Sequence, residues 1–197
     1  MRVTQETREL TRSRILGAAH KLLSRRGFEG ASTRDIADAA RIASGTLFNY
    51  FATKEALVEE LVRDAFEVAF RPAPGNHDSL TESLFAFVAR GLRALSPHRS
   101  YISAAIVDRA LNPATNASSN GISIRHLDAI RDLMHQYGAG ADDPFAFHLY
   151  WSLYLGVISF WIRDESPKQE DTLALLDRSI RLFVSSLNNS EYTNHGA

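Results

Sequence analysis

The chain of 197 residues contains no cysteine. That excludes disulfides, thiolate zinc sites and cysteine nucleophiles, and it fits a reducing, cytoplasmic setting. No segment alternates β-branched and polar residues over a strand's length, so no sheet is expected. There is no glycine-rich phosphate loop, no Gly-x-Ser-x-Gly and no His-Glu-x-x-His. The seven histidines are scattered, and His126 and His135, nine residues apart, fall on different helix faces. No catalytic residue, no metal site and no cofactor is therefore expected. Residues 1–14 carry no charged-then-apolar leader. Internal repeats and low-complexity tracts are also missing.

A large excess of one charge is lacking too: the net charge is −1. Its distribution is uneven. Residues 1–54 hold ten Lys and Arg against five Asp and Glu, and residues 55–197 hold twelve against eighteen. A basic head on an acidic body suits a protein that offers one end to a phosphate backbone.

What is present is helical periodicity. From about Thr7, Ile15, Ala18, Ala19, Leu22 and Leu23 form an amphipathic stripe that Gly27 closes. Arg2, Arg8, Arg12 and Arg14 at this end are available to phosphates, and His20, off the stripe, reads as a solvated surface residue. Thr53 caps a long helix from Lys54 to about Phe70, with two apolar edges that pack on the head and on a second domain. Further helices are expected from Asp78 or Ser79 to Leu95, Tyr101 to Leu111 and Ile124 to Tyr137, with Ala114–Gly121 a loop. Asp143-Pro144 is a strong helix start, and residues 144–162 are apolar almost throughout. One reading of that run is a membrane span, which needs about 20 apolar residues. It stands alone and carries His148, Ser152 and Ser159, so no membrane partner is expected. A helix apolar all round is otherwise buried on every side, here by the core and by a second copy. The last helix, about Lys168 to Leu187, has two apolar stripes. Asn188–Ala197 reads as a disordered polar tail. The class is all-α, with about nine helices.

The most informative stretch runs from Ser32 to Lys54. Ser32 and Asp35 have capping-box spacing. Arg41 to Ala43 form a turn, and Ser44 is placed to cap a second short helix with Leu47 and Phe51 inward. This is the outline of a helix-turn-helix, and an ordinary helical hairpin shares the pattern. Ordered anchors then accumulate: Ile15-Leu16, Ala18-Ala19, Arg26-Gly27-Phe28, Ser32-Thr33, Asp35-Ile36-Ala37, Ala40, Gly45-Thr46-Leu47-Phe48, Tyr50-Phe51, Lys54-Glu55 and Leu57. From about Ile15 to Leu61 the chain resembles the DNA-binding domain of the TetR/AcrR family of transcriptional regulators.

The resemblance implies a three-helix head over residues 1–53, an effector-binding and dimerisation body over 54–188, and a tail over 189–197. It implies a ligand-responsive regulator, most often a repressor, that binds a palindromic double-stranded DNA operator as a homodimer. It places Thr33, Arg34, Ser44, Thr46, Phe48, Asn49, Tyr50 and Lys54 on the DNA. Two departures stand out. Arg41 occupies the turn position where the family has glycine, and Phe48 replaces a tyrosine. For a small, largely apolar or aromatic effector the candidates are Phe66, Phe70, Phe87, Tyr101, His126, Met134, Trp151, Tyr154 and Ile158. For the dimer interface they are Phe147, Tyr150, Leu155, Phe160, Leu175 and Leu182. Two other readings stay open: an all-helical small-molecule-binding protein or enzyme with a vestigial head, and a helical adaptor.

Overall fold

The computed structural model describes residues 5–69, 77–111, 122–139 and 143–193. Among them are nine α-helices and no strand. The first three are α1 (Gln5–Arg26), α2 (Thr33–Ala39) and α3 (Ser44–Tyr50). Next come α4 (Lys54–Ala69), α5 (Leu80–Leu95) and α6 (Ala104–Leu111). The chain closes with α7 (Ile122–Gln136), α8 (Pro144–Arg163) and α9 (Glu170–Thr193). The expected all-α architecture is the observed one. Phe70 and the Ala114–Gly121 loop lie outside the described residues.

Local chemistry sets most boundaries. The Ser32 Oγ accepts the Asp35 amide at 3.1 Å while the Asp35 carboxylate accepts the Ser32 amide at 3.0 Å, a full capping box at the start of α2. Thr53 accepts the Ala56 amide at 3.0 Å and Ser79 accepts the Glu82 amide at 3.2 Å, opening α4 and α5. Asp143 accepts the Phe145 amide ahead of Pro144 and so opens α8. Gly27 takes φ +70° at the end of α1.

Several ends differ from the sequence expectation. Helix α1 begins earlier, at Gln5. Helix α6 begins later, at Ala104, because Tyr101 sits in the turn after the 3₁₀ segment Ser96–His98. Helix α9 starts at Glu170 and runs to Thr193, so the start of the expected tail is helical. Asn188, Asn189 and Ser190 are indifferent helix formers, but neither Gly nor Pro interrupts them.

Helix α4 joins the two halves. It packs against α1 on one side and against α5, α6 and α7 on the other. Leu57, Val58, Val62 and Phe66 are buried along it. Gly91 of α5 permits the close approach: a methyl group there would lie 3.0 Å from the Phe66 ring.

Helices α8 and α9 form a hairpin around Asp164. That carboxylate accepts the Ser166 amide at 2.8 Å and the Thr172 amide and hydroxyl at 2.9 and 2.5 Å. Hydrogen bonds from Ser166 and then Thr172 hold it well below the usual carboxylate range. The Arg99 guanidinium donates to the carbonyls of Trp161, at 2.8 Å, and Asp164, closing the C-terminus of α8. Helix α8 is long and apolar enough to cross a bilayer, yet it buries Tyr150, Tyr154, Ile158 and Trp161 in the chain's own core.

Candidate functional site

The helix-turn-helix follows from its short-range contacts. Helix α2 ends in a Schellman turn: the Arg41 amide reaches the Asp38 carbonyl at 3.0 Å, and the Ile42 amide reaches the Ala37 carbonyl at 3.0 Å. Arg41 takes φ +54°, the left-handed conformation that glycine adopts without strain. The same turn ends α7, where Gly138 (φ +65°) fills the corresponding place.

Ala43, not Ser44, is the N-cap of α3. Its carbonyl accepts the Thr46 and Leu47 amides, and no side chain caps the helix. Ser44 is therefore the first helical residue. Leu47 is fully buried, which turns Ser44, Gly45, Phe48 and Asn49 outward at i, i+1, i+4 and i+5. Phe48 is 49% exposed, an unusual position for a large apolar ring. Thr33, Thr46 and Tyr50 are half-buried at the edge of this surface, and Arg34 is exposed.

Lys54 and Arg12 are placed otherwise than expected. The Lys54 ammonium donates to the carbonyls of Phe28, at 2.6 Å, and Ala31, at 3.1 Å, and stands 4.1 Å above the Phe28 ring. It clasps the α1–α2 connection to the start of α4. Arg12 pairs with Glu60 and, at 3.3 Å, with Asp64, so it ties α1 to α4. Arg109 of α6 pairs with Glu59 of α4 at 2.7 Å.

His20 is not simply solvated. Its Nδ1 is hydrogen-bonded to the Tyr101 hydroxyl at 2.8 Å, and the same hydroxyl is bonded to His98. This cluster joins α1 to the 3₁₀ segment. Tyr101 thus belongs to the head–body junction and not to a ring cage. Burial pushes the His98 imidazole down to about 4 and the Tyr101 hydroxyl well up.

The other effector candidates converge on His126, which is 1% exposed. Ring centroids of Tyr154, Phe87, Trp151 and Phe66 lie 4.9, 5.2, 5.7 and 6.4 Å from it. Burial holds the imidazole down to about 3, so it is neutral near pH 7. Its Nε2 is hydrogen-bonded to the Tyr150 hydroxyl at 2.9 Å. Trp151 is fixed by its indole N–H, which donates to Asp108 at 2.9 Å. Met134 and Ile158 are fully buried but share none of these ring contacts. A void of about 10 Å³, the size of a single water, lies between Tyr150, Tyr154, Val88 and α9.

Tyr150, expected at the dimer interface, is 2% exposed and sits in this cage, so it is not a surface residue. Of the other interface candidates, Phe160 is 43% and Leu182 60% exposed, while Phe147, Leu155 and Leu175 are half-buried. Phe147 lies under the Arg131 guanidinium, 5.0 Å away. Sequence reading missed the exposed Phe145 of α8; Leu173 of α9 is exposed as well but lies against α5, beside Phe85 and Asp177.

Comparisons with known proteins agree with this organisation. The family model described as bacterial regulatory proteins, tetR family, matches residues 15–61. A tetracyclin repressor-like C-terminal domain model matches residues 83–195. The HTH-type transcriptional repressor KstR2 of Rhodococcus jostii is 26% identical over 175 residues, covering 86% of this chain and 74% of that protein. The HTH-type transcriptional regulator UidR of Escherichia coli is 40% identical over 93 residues, covering 43% of this chain and 47% of that protein. A TetR regulator from Rhodococcus sp. RHA1 shares the fold with a TM-score of 0.69 at 19% identity, covering 93% of this chain and 99% of that one. The regulator FadR of Bacillus subtilis, solved with stearoyl-CoA, has a TM-score of 0.56 at 19% identity, covering 88% of this chain and 97% of that one. With a capped helix-turn-helix at its front and family matches in order along head and body, the chain belongs to the tetR family of bacterial regulatory proteins and is a ligand-responsive, DNA-binding transcriptional regulator.

Proposed function

We propose that the chain is a homodimeric repressor that grips a palindromic operator through α2 and α3 and lets go when a small, largely apolar or aromatic effector enters the His126 cage. The head spans residues 1–53 in this reading, and the body follows from 54. The observation that carries it is the outward face of α3, where Phe48 is held 49% exposed beside Ser44 and Asn49 while Leu47 anchors the helix from behind. Phe48 has no hydroxyl for a phosphate and suits a thymine methyl in the major groove. Arg34 is the guanine-reading or phosphate-pairing group. Thr33, Ser44, Thr46 and Tyr50 offer hydroxyls to the backbone. Lys54, held by two carbonyls, supports the head from inside.

The exposed apolar side chains Phe145 and Phe160 of α8 and Leu182 of α9 supply the pairing surface. Two heads would then meet successive major grooves about 34–36 Å apart. Helix α4 is the lever. Glu59 holds α6 and Glu60 holds α1, so a shift of the body reaches the head through one rigid helix. An effector that favours one head spacing changes DNA affinity by linkage. The stearoyl-CoA-bound neighbour, at 19% identity, supports the fold and leaves the ligand open.

Selection of the full chain against random duplex DNA, at low and then near-physiological salt, tests the reading. A palindrome with half-sites about one helical turn apart is expected, and Arg34→Ala removes it while the dimer survives. Recovery of no sequence by a correctly folded dimer refutes the operator assignment. Retained affinity in Arg34→Ala removes that residue from readout.

A further inference from the structure

Among the described residues of the body, Arg90 combines partial burial with an unpartnered donor. Arg90 is half-buried on the α5 face that carries Ser83 and Phe87, and its guanidinium carbon lies 5.9 Å from the Phe87 ring centroid. Its Nε is shielded from solvent and has no hydrogen-bond partner. Several other arginines are engaged. Arg12 and Arg63 meet Glu60, Arg109 meets Glu59, Arg131 meets Asp128, and Arg99 meets two carbonyls. No described residue forms an ion pair or hydrogen bond with Arg90. Arg90 is only half-buried, but its shielded Nε–H has given up water and meets no acceptor in return, so it is well placed for an acceptor that arrives with a ligand.

A second polar group at the same cage also lacks a partner. The Tyr154 hydroxyl is buried, its residue is 4% exposed, and nothing accepts its proton. Phe87 and His126 stand between the two groups: the Phe87 ring touches His126 at 5.2 Å and His126 touches Tyr154 at 4.9 Å. An apolar wall with one cation at its edge and one free hydroxyl inside defines a ligand's chemistry. The imidazole adds no charge, since burial keeps it neutral.

We infer that the effector is an organic acid, with a carboxylate that pairs with Arg90, an apolar body among the rings of Phe66, Phe87 and Trp151, and an oxygen acceptor along that body for Tyr154. A guanidinium–carboxylate pair is the strongest hydrogen-bonded match available to Arg90. The inference rests on the body being the effector domain, and it narrows the effector from apolar in general to anionic at one end.

The test is a titration of the full-length protein, read by tryptophan fluorescence and by ligand-induced thermal shift. The probes are decanoate, naphthaleneacetate and benzoylpropionate, each beside its primary amide, with decanoyl-CoA as a separate arm. The acids are expected to bind about tenfold or more tighter than the amides, the scale of one charged hydrogen-bonded pair. Arg90→Gln should abolish that preference while lowering the thermal midpoint of the unliganded protein little, because it gives up only the guanidinium's contact with the Phe87 ring and no ion pair. Tyr154→Phe should weaken benzoylpropionate, which carries a ketone, more than decanoate. Equal binding of acids and amides, or an acid preference that survives Arg90→Gln, overturns the organic acid and leaves the effector domain standing. Binding of decanoyl-CoA without decanoate overturns the carboxylate. Failure of every probe, charged or neutral, overturns the inference together with the effector cage.

Discussion

Arg41 offers the sharpest test of the physical reasoning, because the same turn occurs twice in this chain with different residues. Helix α7 ends with Gly138 at φ +65°, and α2 ends with Arg41 at φ +54°. Both turns make the same pair of backbone hydrogen bonds. A side chain in the left-handed region brings Cβ against the following carbonyl, at a cost of about 1–2 kcal/mol. Arg41→Gly removes that strain but adds freedom to the unfolded chain, which returns about 0.4–1 kcal/mol. The net expectation is a stabilisation of about 0.5–1 kcal/mol, or a rise of about 1–4 °C in thermal midpoint for a chain of this size. Arg41 is exposed, so little packing is lost.

The measurement is urea unfolding followed by circular dichroism at fixed protein concentration, with the midpoint shifting and the slope unchanged. Arg41→Ala is the control. It deletes the guanidinium and keeps Cβ, so its stability should stay within about 0.5 kcal/mol of the parent. If Arg41→Gly matches Arg41→Ala, or unfolds earlier than the parent, the strain argument fails. Any loss of operator affinity common to both variants reports a charge contact and is separate from the folding result.

Other predictions follow from the caps, the clasp and the buried imidazole. Ala43 already has the extended backbone of an N-cap (ψ 146°) but no side-chain oxygen; Ala43→Ser should stabilise the protein by about 1 kcal/mol in the same urea assay. Lys54→Met removes two charge-assisted hydrogen bonds and should destabilise the protein by about 2 kcal/mol or more. It should leave the salt slope of DNA binding unchanged; a slope reduced by about one unit would return Lys54 to the phosphates. His126 is held neutral with its pKa lowered to about 3 by burial, so unfolding takes up a proton below the ordinary histidine range. Its contribution is complete above about pH 6.5 and is lost toward pH 3 at up to about 1.4 kcal/mol per pH unit. Denaturation midpoints across that range should show a shallower pH dependence in His126→Gln, and an unchanged slope would remove His126 as its source.

The local features are legible in the order of residues alone. The Ser32–Asp35 box, the Thr53, Ser79 and Asp143 caps and the Gly27 stop each need partners within a few residues, so their chemistry is written in adjacent letters. The amphipathic stripes of α1, α4 and α5 were equally legible, since one apolar side leaves one way to pack. The Arg41 departure could be flagged in advance because a Schellman turn demands a left-handed residue whatever surrounds it.

Which long side chains are already engaged is set by contacts between distant segments. Lys54 and Arg12 read as phosphate ligands until carbonyls and carboxylates from other segments claimed them. His20 met Tyr101 across 81 positions, a separation at which periodicity carries no information. Helix α8 is the least legible element. Because it is apolar on every side, its sequence does not say which side faces its own core, and Tyr150, expected at the dimer interface, turns its hydroxyl inward to His126. The cage and the unpaired Arg90 beside it are products of α4, α5, α7 and α8 converging. No single helix encodes that convergence, because its energy lies in contacts between segments far apart in the chain.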